Sequence, residues 1–150
     1  MSLEVKINES LKVAMKAKDK TTLNALRSIK KEILEAKTAK GASGELSSDL
    51  EMKLLQKMVK QRNDSATIYN EQGRQDMAST ELEEAEIIAS FLPEQMSAEE
   101  LETEIVKLIE DLGINSMAGM GRVMGAATTK FAGKADGKMI SEIVKRKLSN

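Results

Sequence analysis

The chain has 150 residues, 41% of them hydrophobic and 31% charged, with a net charge of −1; that is the mixture of a water-exposed globular protein of one domain or two small ones. Cysteine and histidine are both absent. This excludes disulfides, a thiolate nucleophile, an imidazole base and any Cys/His zinc site.

Only one Tyr, two Phe and no Trp are present, so a core must come from Leu, Ile, Val, Met and Ala. That set favours helices over strands. A single proline, Pro93, leaves few helix breakers. The N-terminus lacks the apolar stretch of a signal peptide, and no run approaches the roughly 18 apolar residues of a membrane span. With no need for an oxidising compartment, the expectation is a soluble protein of the reducing cytoplasm.

Apolar spacing predicts seven helices. Ser2 caps the first, with Leu3, Ile7, Leu11 and Ala14 inward. Asp19 caps the second, built on Leu23, Leu26, Ile29 and Ile33 and closing near Gly41, where Gly41-Ala-Ser-Gly-Glu45 reads as a loop. A long third helix starts at Ser47 or Ser48, carries Leu54, Leu55, Met58, Ala66, Ile68 and Tyr69, and stops at Gly73. The fourth sets Ala78, Leu82, Ala85, Ala89 and Leu92 on one stripe, beside Ile88 and Phe91. Pro93 disfavours helical geometry at Leu92 and ends it there.

Ser97-Ala-Glu-Glu100 is a capping box that opens a fifth helix on Leu101, Ile105, Leu108 and Leu112, ending at Gly113. A sixth starts at Asn115 or Ser116, turns Met120, Val123, Met124, Ala127 and Phe131 inward and stops at Gly133. Asp136 caps a seventh on Ile140, Ile143, Val144 and Leu148. Strand-like alternation never lasts. The class is all-α: a four-helix N-terminal domain, residues 1–92, and a small three-helix domain, residues 93–150.

The near-zero net charge hides a division. Residues 1–40 carry +5, residues 71–112 carry −11 and residues 114–150 carry +5. Solvated helix faces account for much of this. In the last segment, Arg122, Lys130, Lys134 and Lys138 fall around two helix junctions, where a phosphate backbone can approach.

Gly119-Met-Gly121-Arg-Val-Met-Gly125 imitates a dinucleotide fingerprint, yet its spacing is one residue too long and no strand precedes it. No cofactor is expected. Each glycine in a helix costs about 1 kcal/mol relative to alanine, so three together imply a close contact, either internal packing or a sugar–phosphate edge. The acidic run Glu81–Glu86 reads as solvated surface, and no metal is expected. No serine sits in Gly-x-Ser-x-Gly, no histidine is present to activate one, and no local spacing recommends a Ser–Lys arrangement. Catalytic residues are therefore expected to be absent.

Three motifs in order, Phe91-Leu-Pro-Glu-Gln-Met-Ser97, Met120-Gly-Arg-Val-Met-Gly125 and Gly133-Lys-Ala-Asp-Gly-Lys138 with Ile143-Val-Lys145, resemble the YqeY family across the whole chain. Residues 91–150 are also similar to the tail domain of the B subunit of the glutamine-dependent Asp/Glu-tRNA amidotransferase. The resemblance implies a bacterial, all-helical protein whose tail is a tRNA-binding appendage, while the amidation chemistry belongs to other portions of that enzyme. Tail-domain relatives commonly carry an acidic residue just before the Met-Gly pair, where this chain has Ala118-Gly119.

The expected contacts are Gly121, Arg122, Lys130, Lys134 and Lys138. The leading expectation is a non-catalytic accessory protein for tRNA or a tRNA-handling enzyme. Two alternatives stay open: a helical protein-interaction module, and a component of a carbon–nitrogen ligase with glutamine as amide donor.

Overall fold

A computed structural model describes residues 2–39, 41 and 44–149 of the chain. Among these residues it holds seven α-helices, one 3-10 turn and no strand, so the protein is all-α as expected. The chain divides into two compact units, Met1–Leu92 and Pro93–Asn150.

In the first unit, α1 (Leu3–Ala17) starts where the Ser2 hydroxyl accepts the Val5 N–H at 3.3 Å. It ends on Lys18, whose φ of 55° is left-handed, and Asp19 follows at once as the cap of α2 (Lys20–Thr38). The Asp19 carboxylate accepts both the Thr22 N–H and the Thr22 hydroxyl, at 3.1 and 2.6 Å. Those bonds hold its carboxyl below the usual range. α2 stops at Thr38, before the expected Gly41; Ala42 and Ser43 of the expected loop lie outside the described residues.

Ser47 caps α3 (Ser48–Glu71), and the reversal into α4 (Gln75–Ala89) turns on Gly73 at φ 73°. The Arg74 N–H there donates to the Tyr69 carbonyl at 2.7 Å. Ile7, Leu26, Ile29, Leu55 and Ile88 are the large side chains buried most completely in this unit.

The sequence stripe misplaced two residues: Ile68 is 52% exposed and Leu82 is 48% exposed. Of the stripe expected on α4, Ala78 and Ala85 are buried, together with Ile88 beside it, so the buried face is rotated towards Ile88 and away from Leu82. That rotation brings Glu84 inward, so the run Glu81–Glu86 is only partly solvated surface. Glu84 Oε2 lies 3.3 Å from Arg62 Nε, and both side chains are mostly buried, at 14% and 17% exposure. The pair meets as an ion pair without the alignment of a hydrogen bond at Nε. Arg62 Nη2 meanwhile donates to Ser28 Oγ at 2.6 Å, so one arginine ties α2, α3 and α4. α4 ends at Ala89, three residues before Leu92; Ser90–Leu92 continue as a turn, with Phe91 and Leu92 donating three residues back.

In the second unit, α5 (Ala98–Leu112) opens on the full capping box, Ser97 Oγ accepting from Glu100 N and Glu100 Oε2 accepting from Ser97 N. It closes on Gly113 at φ 66°. The expected helix start at Asn115 or Ser116 is instead a 3-10 turn, Met117–Gly119, and α6 spans Met120–Lys130. α7 (Gly137–Leu148) follows Asp136, which occupies the cap position but makes no capping hydrogen bond with its side chain. Leu101, Ile105, Val123, Ala127, Phe131, Ile140, Ile143, Val144 and Leu148 form the core.

Burial lifts the Glu84 carboxyl above its usual range, Arg62 opposes the rise and Glu81 adds to it. A raised carboxyl binds its proton more tightly in the folded state. Its contribution to stability is fully present below the ordinary carboxylate pKa, about 4, and is lost as the pH rises through the folded value. Denaturant unfolding at a series of pH values should therefore show wild type losing stability relative to Glu84→Gln from about pH 4 towards neutrality. A difference that stays flat across that window would contradict this account.

Candidate functional site

The second unit is stitched by two of the sequence motifs. Gln95 Nε2 donates to the Gly133 carbonyl at 2.6 Å and to the Pro93 carbonyl at 2.8 Å, while the Met96 N–H donates to the Lys134 carbonyl at 2.9 Å. The segment before α5 is thus fastened to the corner between α6 and α7. Gly133 serves that corner with a φ of 75°, which a side chain would strain.

The glycines of the 119–125 motif separate by role. A Cβ on Gly119 would collide with Ile114 Cγ2, so this glycine is there for internal packing. A Cβ on Gly121 or Gly125 would meet nothing within 4 Å. These two lie four residues apart on the exposed side of α6, and Thr129 continues the same row. The Thr129 hydroxyl donates to the Gly125 carbonyl at 3.0 Å, leaving a smooth surface in which backbone lies open.

The candidate cations do not form one cluster. Arg122 sits in the first turn of α6, exposed and with no ion-pair partner among the described residues. Lys130 lies at the other end, about 12 Å further along the axis at 1.5 Å per residue. Its ammonium is 3.7 Å from Glu104 Oε2 and 5.7 Å from the centre of the Phe131 ring. Lys130 and Lys134 share an open groove of about 630 Å³ with Gln95, Met96, Thr103 and Phe131 and with the carboxylates of Glu94, Glu100 and Glu104. Three carboxylates against two ammonium groups make that groove mixed in sign. Lys138, in the first turn of α7, is exposed.

The charge count included Arg146 and Lys147, but the candidate contacts left out this other basic end of the unit. Arg146 Nη2 lies 3.1 Å from Glu102 Oε2, and Lys147 Nζ lies 2.6 Å from Glu102 Oε1. The Lys147 ammonium, with Arg146 beside it, holds the Glu102 carboxyl below its usual range. Glu104 is likewise shared, by Lys107 at 3.6 Å and Lys130. α5 therefore engages three of the seven basic groups of residues 114–150, with Arg122, Lys134, Lys138 and Lys145 left without ion pairs among the described residues.

A family model described as Yqey-like protein matches residues 4–148. The chain is 33% identical to Altered inheritance of mitochondria protein 41, mitochondrial, of Vanderwaltozyma polyspora over 112 residues, covering 71% of this chain and 58% of that protein. It is 35% identical to the protein of the same name from Clavispora lusitaniae over 107 residues, covering 70% and 61%. The chain thus spans about three-fifths of the length of these two curated relatives. A 57-residue match at 42% identity links 35% of the chain to 9% of a Glutamyl-tRNA(Gln) amidotransferase subunit of Thermococcus gammatolerans.

Gly119 and Gly125 are expected to respond differently to a methyl group. Gly125→Ala is expected to raise stability by up to about 1 kcal/mol, the helix-propensity gain at an open position. Gly119→Ala is expected to lower it by about 1–3 kcal/mol through overpacking against Ile114. Thermal unfolding of the two variants checks the sign; stabilisation by alanine at position 119 would refute the packing role.

Proposed function

The chain belongs to the Yqey-like protein family, and from that premise we propose that it is a non-catalytic accessory protein that binds tRNA or a related RNA through its C-terminal unit. The observation that carries this reading is the exposed edge of α6. Arg122 stands there without an ionic partner beside two glycines whose Cβ positions open onto free space. An unpaired guanidinium gives phosphate a charged, bidentate donor, and the bare backbone beside it lets a sugar–phosphate chain come close. Lys138, with Lys134 and Lys130 at the opposite end of α6, extends the contact along the strand. The partial match to an amidotransferase named for Glutamyl-tRNA(Gln) supports tRNA as the RNA.

The same match favours a second reading, in which the protein docks on a tRNA-handling enzyme such as a glutamine-dependent amidotransferase, a carbon–nitrogen ligase. Amidation would then be the work of other chains, since this one offers neither Cys nor His for nucleophilic or imidazole chemistry. No helix among the described residues is long and apolar enough to cross a membrane. With no cysteine to oxidise, the cytoplasm is our proposed setting, although two relatives carry mitochondrial names.

Affinity of the full chain for tRNA should fall as salt rises, because phosphate contacts release counterions. Arg122→Ala with Lys138→Ala should weaken binding and reduce the slope of log affinity against log salt by roughly one unit per cation removed, with helicity unchanged by circular dichroism. Absence of binding to wild type at low salt would sink the RNA reading. Binding by the double variant equal to wild type would move the site elsewhere, and a partner retained after nuclease treatment would favour the docking reading.

A further inference from the structure

Arg146 and Lys147 are consecutive in the last turn of α7, where side chains one residue apart diverge by about 100°. They nevertheless meet on one anion, each at its own oxygen of Glu102. A phosphodiester presents the same pattern to cations: one negative charge spread over two oxygens on a single centre. The arrangement is solvent-exposed, at 56% for Arg146, 32% for Lys147 and 37% for Glu102. Exposed ion pairs add little to stability and are readily exchanged. The packing of this unit rests on Leu101, Ile105, Val144 and Leu148, not on the pair. The cations are favoured where they stand without Glu102, because the C-terminal end of a helix carries partial negative charge.

We propose that Arg146 and Lys147 form a second phosphate-binding site for an RNA backbone, separate from the α6 edge, and that Glu102 occupies it as a built-in competitor until RNA displaces the carboxylate. The proposal rests on the RNA-binding reading above and deepens it. Glu102 then acts as a positioning residue that keeps the two cations converged and limits affinity for RNA. Lys145, exposed beside them and without an ion pair among the described residues, extends the site towards a neighbouring phosphate.

The experiment compares Glu102→Gln with Glu142→Gln in the full chain, using tRNA titrated across salt concentrations. Both changes remove one negative charge, but Glu142 has no ion pair among the described residues. Glu102→Gln should bind severalfold more tightly at low salt, with a steeper slope, because rising salt screens the competing carboxylate that only wild type carries. Glu142→Gln should change affinity slightly and leave the slope alone. Adding Arg146→Ala and Lys147→Ala to Glu102→Gln should abolish the gain. Circular dichroism and thermal unfolding of each variant check that the fold is kept.

If wild type binds tRNA but the two glutamine variants behave alike, or the gain survives loss of both cations, the second site is wrong and the RNA reading stands. If neither wild type nor any variant binds at low salt, the RNA reading falls and takes the second site with it.

Discussion

One helix decides what the C-terminal unit can expose. α5 buries Leu101 and Ile105 completely, and both α6 and α7 pack on it. At 100° per residue, Glu102 stands about 60° to one side of Ile105 and Glu104 about 60° to the other side of Leu101. The buried stripe that organises the core therefore aims one carboxylate at each flanking helix. Glu102 takes the cations of α7 and Glu104 the lysine that ends α6. Truncating a buried side chain such as Ile105 costs about 2–5 kcal/mol, a large share of the stability available to a unit this small. The electrostatic pattern is tied to the stripe and cannot be altered by rotating α5 without losing the core.

Much of this was legible beforehand because the signals are local. The capping box, the cap at Asp19 and the stop at Gly113 each depend on residues within one turn of each other. So do the stripes of α2, α5 and α7. The failures came from interactions that span the chain. On α4 the apolar spacing placed Ala78 and Ala85 inward correctly, yet Leu82 of the same stripe is exposed and the buried face is turned towards Ile88. In that orientation Glu84 meets Arg62, 22 residues upstream, while Leu82 faces outward. An apolar count gives small alanines little weight, although they let α3 and α4 approach closely. At Asp136 the residue type and position were right, but the carboxylate makes no capping bond.

The candidate site was legible to a similar depth. Exposure of Arg122 and Lys138 follows from their places in amphipathic helices. Engagement of Lys130, Arg146 and Lys147 does not, because their partners lie 26 to 45 residues away on α5. A segment charge of +5 counts all seven cations equally, whereas folding divides them into engaged and free groups. The recognisable motifs also divide. Gln95 and Gly133 join the first motif to the third through a hydrogen bond, so their roles are at least partly architectural. In the second motif Gly119 packs on Ile114, while a Cβ on Gly121 or Gly125 would meet nothing within 4 Å among the described residues.

That last contrast leaves the outer face of α6 bare. A helix of 11 residues forgoes about 1 kcal/mol for a glycine in its interior. Gly125 brings no compensating internal contact. Val123 and Ala127, fully buried on the opposite side, hold α6 against α5 and α7, so the helix tolerates the loss. What remains on the outside is a surface without side-chain bulk and, at Arg122, without competition from α5. Steric access and charge are thereby separated: α6 leaves its outer face open, and the carboxylates of α5 set how much of the positive charge around it stays unpaired.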